Sequence, residues 1–165
     1  MKNKKIGQSV FVVMVFILAI SFLIHQSSKT FESRDIKQVK IAGQSIKVEL
    51  AITPAELARG LSGRKGLASD EGMLFTFNQP GRYPFWMKDM NFPIDIIWLD
   101  EDLKVIYIKK DARPELYPET YGPDDVPTKI GIGAEVGTKY VLEVVSGFSE
   151  KNNLKAGDRA EFLYK

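Results

Sequence analysis

The chain has 165 residues, 44% of them hydrophobic, which is enough for one hydrophobic core and too few for two independent domains beside a membrane segment. It contains no cysteine and only one histidine, His25, so disulfides, thiol nucleophiles, a Ser-His-Asp triad and a poly-histidine zinc site are excluded from the domain. The formal net charge of the chain is +2. Residues 31–165 contain 19 of the 23 basic residues and all 21 acidic residues, so this part of the chain carries −2 and lacks the basic patch that nucleic acid binding requires.

The first predicted element is a membrane segment at the N-terminus. Residues 2–5 read Lys-Asn-Lys-Lys, and the segment from Val10 to Ile24 is apolar except for Ser21. Counted from Ile6, the run has 19 residues, close to the roughly 20 that a spanning helix needs, whereas its strict core of 15 also fits a signal peptide. The only small-x-small pair, which includes Ala19, lies inside the run, and this favours an anchor that is not cleaved.

This segment predicts where the protein resides. We expect an anchor or signal peptide over residues 1–25, a polar tether over residues 26–36 and a single β-rich domain over residues 37–165. Because basic residues remain on the cytoplasmic side, the predicted protein is a single-pass protein of the cytoplasmic membrane with its C-terminal domain on the extracytoplasmic side. If the segment is cleaved, the domain is secreted.

The domain begins with a predicted hairpin and a short helix. Residues 37–51 predict the hairpin, because apolar residues alternate with polar ones after an Ala-Gly-Gln-Ser turn. A helix start follows, since Thr53 is a typical N-cap, Pro54 suits the first helical position and Glu56 stands three residues after the cap. We expect the helix to end at Gly60 or Gly63.

Most of the remaining chain predicts short strands joined by turns. The predicted strands cover residues 72–77, 83–88, 94–99, 103–109, 139–145 and 159–164, and a second short helix falls within residues 147–154. Residues 111–138 contain four prolines and predict a long loop. The expected fold is therefore all-β and mainly antiparallel, a jelly-roll-like sandwich or small barrel with one or two short helices, preceded by the N-terminal membrane helix.

Several ordered motifs resemble one known family. They read RGLSGR at residues 59–64, GMLF at 72–75, FWMKDM at 85–90, PIDI at 93–96 and GD at 157–158. Together they are similar to the motifs of domain-of-unknown-function family 192 over residues 38–164. The resemblance implies a compact all-β, jelly-roll-like fold in bacterial and archaeal proteins that are often exported, and it implies no accepted activity.

Asp95 is the first candidate for a functional residue. On the predicted strand 94–99 it shares a face with Ile97 and Leu99, and a carboxylate among aliphatic neighbours is costly unless a cation or several N–H groups meet it. We expect a basic partner, drawn from Arg59, Arg64 and Lys88. A buried ion pair that fixes strand register is the favoured interpretation, and contact with a ligand is the alternative.

Trp86 and Lys88 share strand parity and predict an aromatic surface beside a cation. Such a surface, with a nearby guanidinium, suits a saccharide or another small anion. The ligand-binding candidates are Arg59, Arg64, Trp86, Lys88 and Asp95. The alternative is a tryptophan that only covers one end of the barrel.

Two other kinds of chemistry remain open. Met73, Met87 and Met90 lie within a short span and could bind Cu(I), although core packing is the favoured role of these thioethers and no cofactor is expected. Asp89, Asp95 and Asp100 could serve a carboxylate hydrolase with Lys88 or an arginine as stabiliser.

The leading hypothesis is a non-enzymatic binding or accessory module of the cell envelope with an aromatic-cationic site for a small ligand. An envelope hydrolase and a structural domain that docks to another protein are the alternatives.

Overall fold

The computed structural model describes residues 35–123, 129–130, 134–135 and 137–164. The predicted anchor, residues 1–25, and most of the predicted tether, residues 26–36, lie outside this part of the chain. Within it, no helix combines the length and the apolar character needed to cross a membrane.

The predicted hairpin and helix open the domain. Strands β1 (Ile36–Ile41) and β2 (Gln44–Ala51) pair in antiparallel fashion and bury alternate side chains. Helix α1 (Pro54–Arg59) follows, and it begins with the predicted capping box: Thr53 Oγ1 accepts from Glu56 N, and Glu56 Oε2 accepts from Thr53 N. Gly60 ends the helix. The sequence prediction is confirmed for all three elements.

Seven strands form the main sheet. Besides β1 and β2 they are β3 (Glu71–Gly81), β5 (Ile94–Leu99), β6 (Val105–Ala112), β10 (Thr138–Val145) and β11 (Glu161–Tyr164). Their order in the sheet is β11-β1-β2-β3-β10-β5-β6. All neighbours are antiparallel except β2 and β3, which are parallel and joined through α1.

The remaining elements are short. Strand β4 (Phe85–Trp86) pairs with β7 (Thr120–Tyr121), and β8 (Lys129–Ile130) pairs with β9 (Ala134–Glu135). A 3₁₀ turn covers Pro114–Leu116, and helix α2 covers Phe148–Lys151.

The main sheet curls but does not close. Its edge strands approach each other at one end, where Lys104 bridges Arg159 and Val105 N donates to Asp158 O at 2.8 Å. Along the rest of its length β11 is a sheet edge beside β1. The fold is mostly β and rich in antiparallel pairs, as expected, but the closed-barrel form of that expectation is wrong.

The curled sheet carries apolar clusters on both faces. All seven strands contribute to an inner cluster, which contains Val39, Ile97 and Leu142. An outer cluster lies on the opposite face of the central strands and contains Phe75 and Trp98. Strand β5 contributes side chains to both clusters, because its side chains alternate between the two faces and every residue of the strand is buried.

Two sequence predictions differ from the observed elements. The predicted strand 83–88 contains only the two residues of β4, because Met87 turns into the outer cluster and Asp89 takes a left-handed backbone conformation with φ of 56°. The predicted loop 111–138 contains β7, whose backbone pairs with β4, as well as β8 and β9.

Candidate functional site

A pocket of about 410 Å³ lies on the outer face of the sheet. Helix α1 and the segment around β4 form its sides, and β3 and β10 lie beneath it. Five aromatic side chains line it: Phe75, Phe77, Tyr83, Phe85 and Trp86. Its volume falls within the range of pockets that bind small molecules, roughly 300–1,000 Å³.

Contacts within the protein hold the aromatic wall of the pocket in place. Tyr83 stacks on Phe77 with ring centroids 3.5 Å apart, and Phe85 meets Phe75 edge to face at 4.8 Å. The buried Trp98 donates from Nε1 to the Tyr83 carbonyl oxygen at 3.0 Å, which fixes the segment before β4 against the sheet. Trp86 remains 44% exposed, so a substantial part of its side chain is accessible to a ligand.

Helix α1 supplies the opposite wall. Leu57, Ala58 and Arg59 line the pocket from this helix, and Arg59 is exposed. Gly60 has φ of 49° and ψ of −133°, and a Cβ at this position would lie 3.1 Å from Phe75 Cζ. The absence of a side chain therefore lets the end of the helix approach the floor of the pocket.

Glu143 on β10 is the acidic residue of the pocket lining. Its side chain points to the outer face between Met73 and Ile96 of the neighbouring strands, and the residue is only 5% exposed. Oε2 is buried and accepts no hydrogen bond from any described residue. Burial raises the pKa of this carboxyl to about 8, although the charge of Arg64 acts in the opposite direction.

The sequence prediction did not select Glu143, although its position in an apolar strand indicates a buried acid. This residue is the single acid within the apolar run YVLEVV, residues 140–145, and it has the same strand parity as the buried Val141. The argument that selected Asp95, a carboxylate on a buried strand face, applies equally to Glu143.

Asp95 lies on the other face of the sheet. It is 0% exposed, and its carboxylate accepts from three backbone N–H groups: Asp111 N at 2.9 Å, Gly147 N at 3.2 Å and Ser149 N at 2.8 Å. Its need for partners was therefore predicted correctly, but the expected pairing with Arg59, Arg64 or Lys88 is wrong. Backbone donors replace the cation because the loop before α2 folds over the end of β5.

Two of the predicted cations lie outside the pocket lining. Arg64 binds Glu49 through two hydrogen bonds of 2.6 Å, and this pairing lowers the pKa of the Glu49 carboxyl. Lys88 is exposed in the turn after Met87, where its carbonyl oxygen accepts from Ser62 Oγ at 2.8 Å. Arg59 and Trp86 are thus the two predicted ligand-binding residues that the structure brings together in the pocket.

The family model for DUF192, described as an uncharacterized ACR, matches residues 37–162. The chain belongs to this family. The family assignment confirms the resemblance predicted from the motifs.

Two crystal structures resemble this DUF192 domain. A protein of unknown function from Novosphingobium aromaticivorans is 32% identical with a TM-score of 0.65, and the match covers 76% of this chain and 84% of that one. A protein from Sinorhizobium meliloti, named only as a candidate transcription regulator, is 26% identical with a TM-score of 0.63, covering 76% and 90%. No curated protein matches the chain.

Three of the DUF192 motifs supply pocket residues. The motif at residues 59–64 contributes Arg59, Gly60, Leu61 and Ser62, the motif at residues 72–75 contributes Phe75, and the motif at residues 85–90 contributes Phe85, Trp86 and Met90. In the GMLF motif, a Cβ at Gly72 would lie 2.7 Å from the Glu143 carbonyl oxygen, so glycine permits the close approach of β3 and β10 beneath the pocket.

The methionines and the other acids have structural roles. Met73 and Met87 are buried in the outer cluster, and Met90 packs against it, which is the core-packing arrangement of these thioethers. Asp100 caps the turn after β5 by accepting from Asp102 N and Lys104 N. In the described part of the chain, no group of three histidine, cysteine or acidic residues has the arrangement of a metal site.

Proposed function

We propose that this DUF192 domain is a binding module whose pocket takes a small ligand with a flat or ring-shaped face. The observation that carries the proposal is the half-exposed Trp86 at the edge of an aromatic pocket of about 410 Å³. Stacking against an indole suits sugar rings and other ring systems, and the preformed wall lowers the entropic cost of binding.

A saccharide suits this lining better than a small anion. An anion site needs free cationic donors, but Arg64 is already paired with Glu49, and Lys88 does not belong to the pocket lining. Arg59 is the cationic group of the lining, whereas five aromatic side chains surround the cavity. Apolar ring contact therefore dominates the interactions that the pocket offers.

The contacts of Asp95 argue against the hydrolase that the sequence left open. A catalytic base must reach the proton that it removes, and Asp95 is fully buried with its oxygens engaged by backbone N–H groups on the sheet face away from the pocket. A purely structural role explains Asp95 and Arg64, but it leaves the open pocket beside Trp86 without a purpose.

We further propose that the module works in the cell envelope, held by the apolar segment Val10 to Ile24 behind its basic N-terminal residues. Regulation of transcription, the role in the description of the Sinorhizobium meliloti protein, finds no support in this chain, because residues 31–165 carry a net charge of −2.

The proposal is tested by ligand screening with a matched pair of variants. The full chain in detergent is titrated with neutral and acidic monosaccharides and with cyclohexanol, and binding is followed by tryptophan fluorescence and by the melting temperature. We expect Trp86→Ala to abolish the response and Tyr164→Ala, which removes another exposed aromatic side chain, to retain it. If no ring-bearing compound binds, or if Trp86→Ala binds as well as the native chain, the proposal fails.

A further inference from the structure

We propose that the ligand of this pocket carries a protonated amino group, which pairs with the carboxylate of Glu143 at the pocket floor. An amino sugar is one example of a ring-faced ligand with such a group. The inference rests on the proposed function, because it names the chemistry of a ligand for the same pocket.

The first argument is the state of the Glu143 side chain. Its Oε2 is buried without a hydrogen-bond partner among the described residues, and the residue belongs to the pocket lining. A buried polar group without a partner is costly, and more so if it is charged. Asp95 avoids this cost through three backbone donors, whereas Glu143 Oε2 receives no donor from the described residues, so a donor on a bound ligand would complete its environment.

The second argument is the balance of charge around the pocket. Arg64 is neutralised by its bidentate pair with Glu49. Arg59 lies close enough to Glu56 and Glu49 to lower the pKa of both carboxyls. The charges of Glu49, Glu71 and Glu143 all act on the single guanidinium of Arg64, so an ionised Glu143 shares this cation with two other carboxylates, and a cationic ligand would supply a positive charge of its own.

The third argument is the aromatic lining. The faces of aromatic rings attract cations, and this attraction grows as water is excluded. Phe75, Phe85 and Trp86 line the same cavity as Glu143. An ammonium group in this cavity gains from both the rings and the carboxylate, whereas a neutral hydroxyl of the same shape gains from neither in full.

The ionisation of Glu143 gives the inference a pH signature. The pKa of about 8 means that the carboxyl is mainly protonated at pH 7, so binding of an ammonium group must release that proton. The charged group that acts on Glu143 is the guanidinium of Arg64, and the other titratable side chains of the pocket lining are Arg59 and Tyr83, whose hydroxyl donates to the Gln79 carbonyl oxygen. An aliphatic ammonium keeps its own charge to about pH 10, so affinity should rise roughly tenfold from pH 7 to pH 9.

The test compares two ligands that differ in one group. The full chain in detergent is titrated with cyclohexylamine and with cyclohexanol at pH 7 and pH 9, with Trp86→Ala as the background for partition into micelles. We expect the native chain to prefer the amine roughly tenfold or more at pH 9. Glu143→Gln, which keeps the shape of the side chain, should lose most of the preference for the amine and all of its pH dependence, because only the attraction of the aromatic rings remains. Glu150→Gln, an exposed acid on α2, should behave as the native chain.

The outcomes separate this inference from the proposed function. Equal binding of the two compounds by the native chain, or a preference for the amine that survives undiminished in Glu143→Gln, overturns the amine inference while ring binding stands. If neither compound binds above the Trp86→Ala background, the pocket proposal fails and the inference fails with it. A pH-dependent preference in the native chain supports the inference even if Glu143→Gln does not fold.

Discussion

The Asp95 carboxylate stabilises the end of β5 through backbone N–H donors from three separate positions, Asp111, Gly147 and Ser149. Asp95→Asn replaces one oxygen with an amide group that cannot accept from these donors, so at least one buried N–H loses its partner. We expect the free energy of unfolding to fall by about 2–3 kcal/mol, measured by urea denaturation at pH 7. Asp102→Asn, at an exposed turn position, should change it by less than about 0.5 kcal/mol. Equal stability of the two variants would refute the structural role of Asp95.

At the scale of residues, the sequence indicates which acids are buried but not which groups surround them. Asp95 and Glu143 both interrupt apolar strands, so both could be recognised as buried acids. Strand parity places their side chains on opposite faces of the sheet but says nothing about which face carries a pocket. The donors for Asp95 come from residues 16 to 54 positions away along the chain, a contact that depends on the path of the loop before α2.

At the scale of elements, helix α1 depends on its N-terminal cap, because six residues are too few for a helix to be stable alone. Thr53→Ala removes the hydroxyl that accepts from Glu56 N at 3.3 Å, and we expect a loss of about 1 kcal/mol in the free energy of unfolding. Since α1 forms one wall of the pocket, binding of the ring-faced ligand should weaken as well. Thr53→Ser keeps the hydroxyl and should keep both the stability and the ligand affinity of the native chain. Loss of stability in the serine variant to the same extent would show that the cap is not the cause.

Local patterns were sufficient for most elements of the main sheet. The hairpin follows from its alternation of apolar and polar residues, helix α1 from its capping signals and strand β5 from its run of apolar residues, and each of these signals lies within or next to the element itself. Strand β4 is shorter than predicted because its limits depend on pairing with β7, whose residues lie 34 and 36 positions further along the chain, and the sequence did not reveal this pairing. For the same reason the prediction that Trp86 and Lys88 share one strand face is wrong. Strand β4 ends at Trp86, so the alternation of side chains does not extend to Lys88.

At the scale of the whole molecule, the curl of the sheet creates the pocket. The apolar residues of the central strands predict burial on both faces, but they do not show that the edges meet only near Lys104 and Arg159. An open curl encloses the inner cluster and leaves the outer face to be covered by α1, β4 and β7. These covering elements are short and do not fill the space above Glu143, which explains why the pocket was beyond prediction from sequence.

The envelope location is the prediction that concerns the whole chain. A basic N-terminus followed by an apolar segment almost long enough to span a membrane should direct export of the domain and keep the protein attached to the membrane. We expect the full chain to sediment with membranes, to resist alkaline carbonate extraction and to be digested by protease added outside spheroplasts. A variant in which Val13, Ile17 and Leu18 are all replaced by Lys should remain in the cytosol, because each charge at the centre of the segment opposes insertion by roughly 3 kcal/mol. Release of the domain into the extracytoplasmic medium would indicate cleavage, whereas a soluble cytosolic native chain would contradict both anchoring and export.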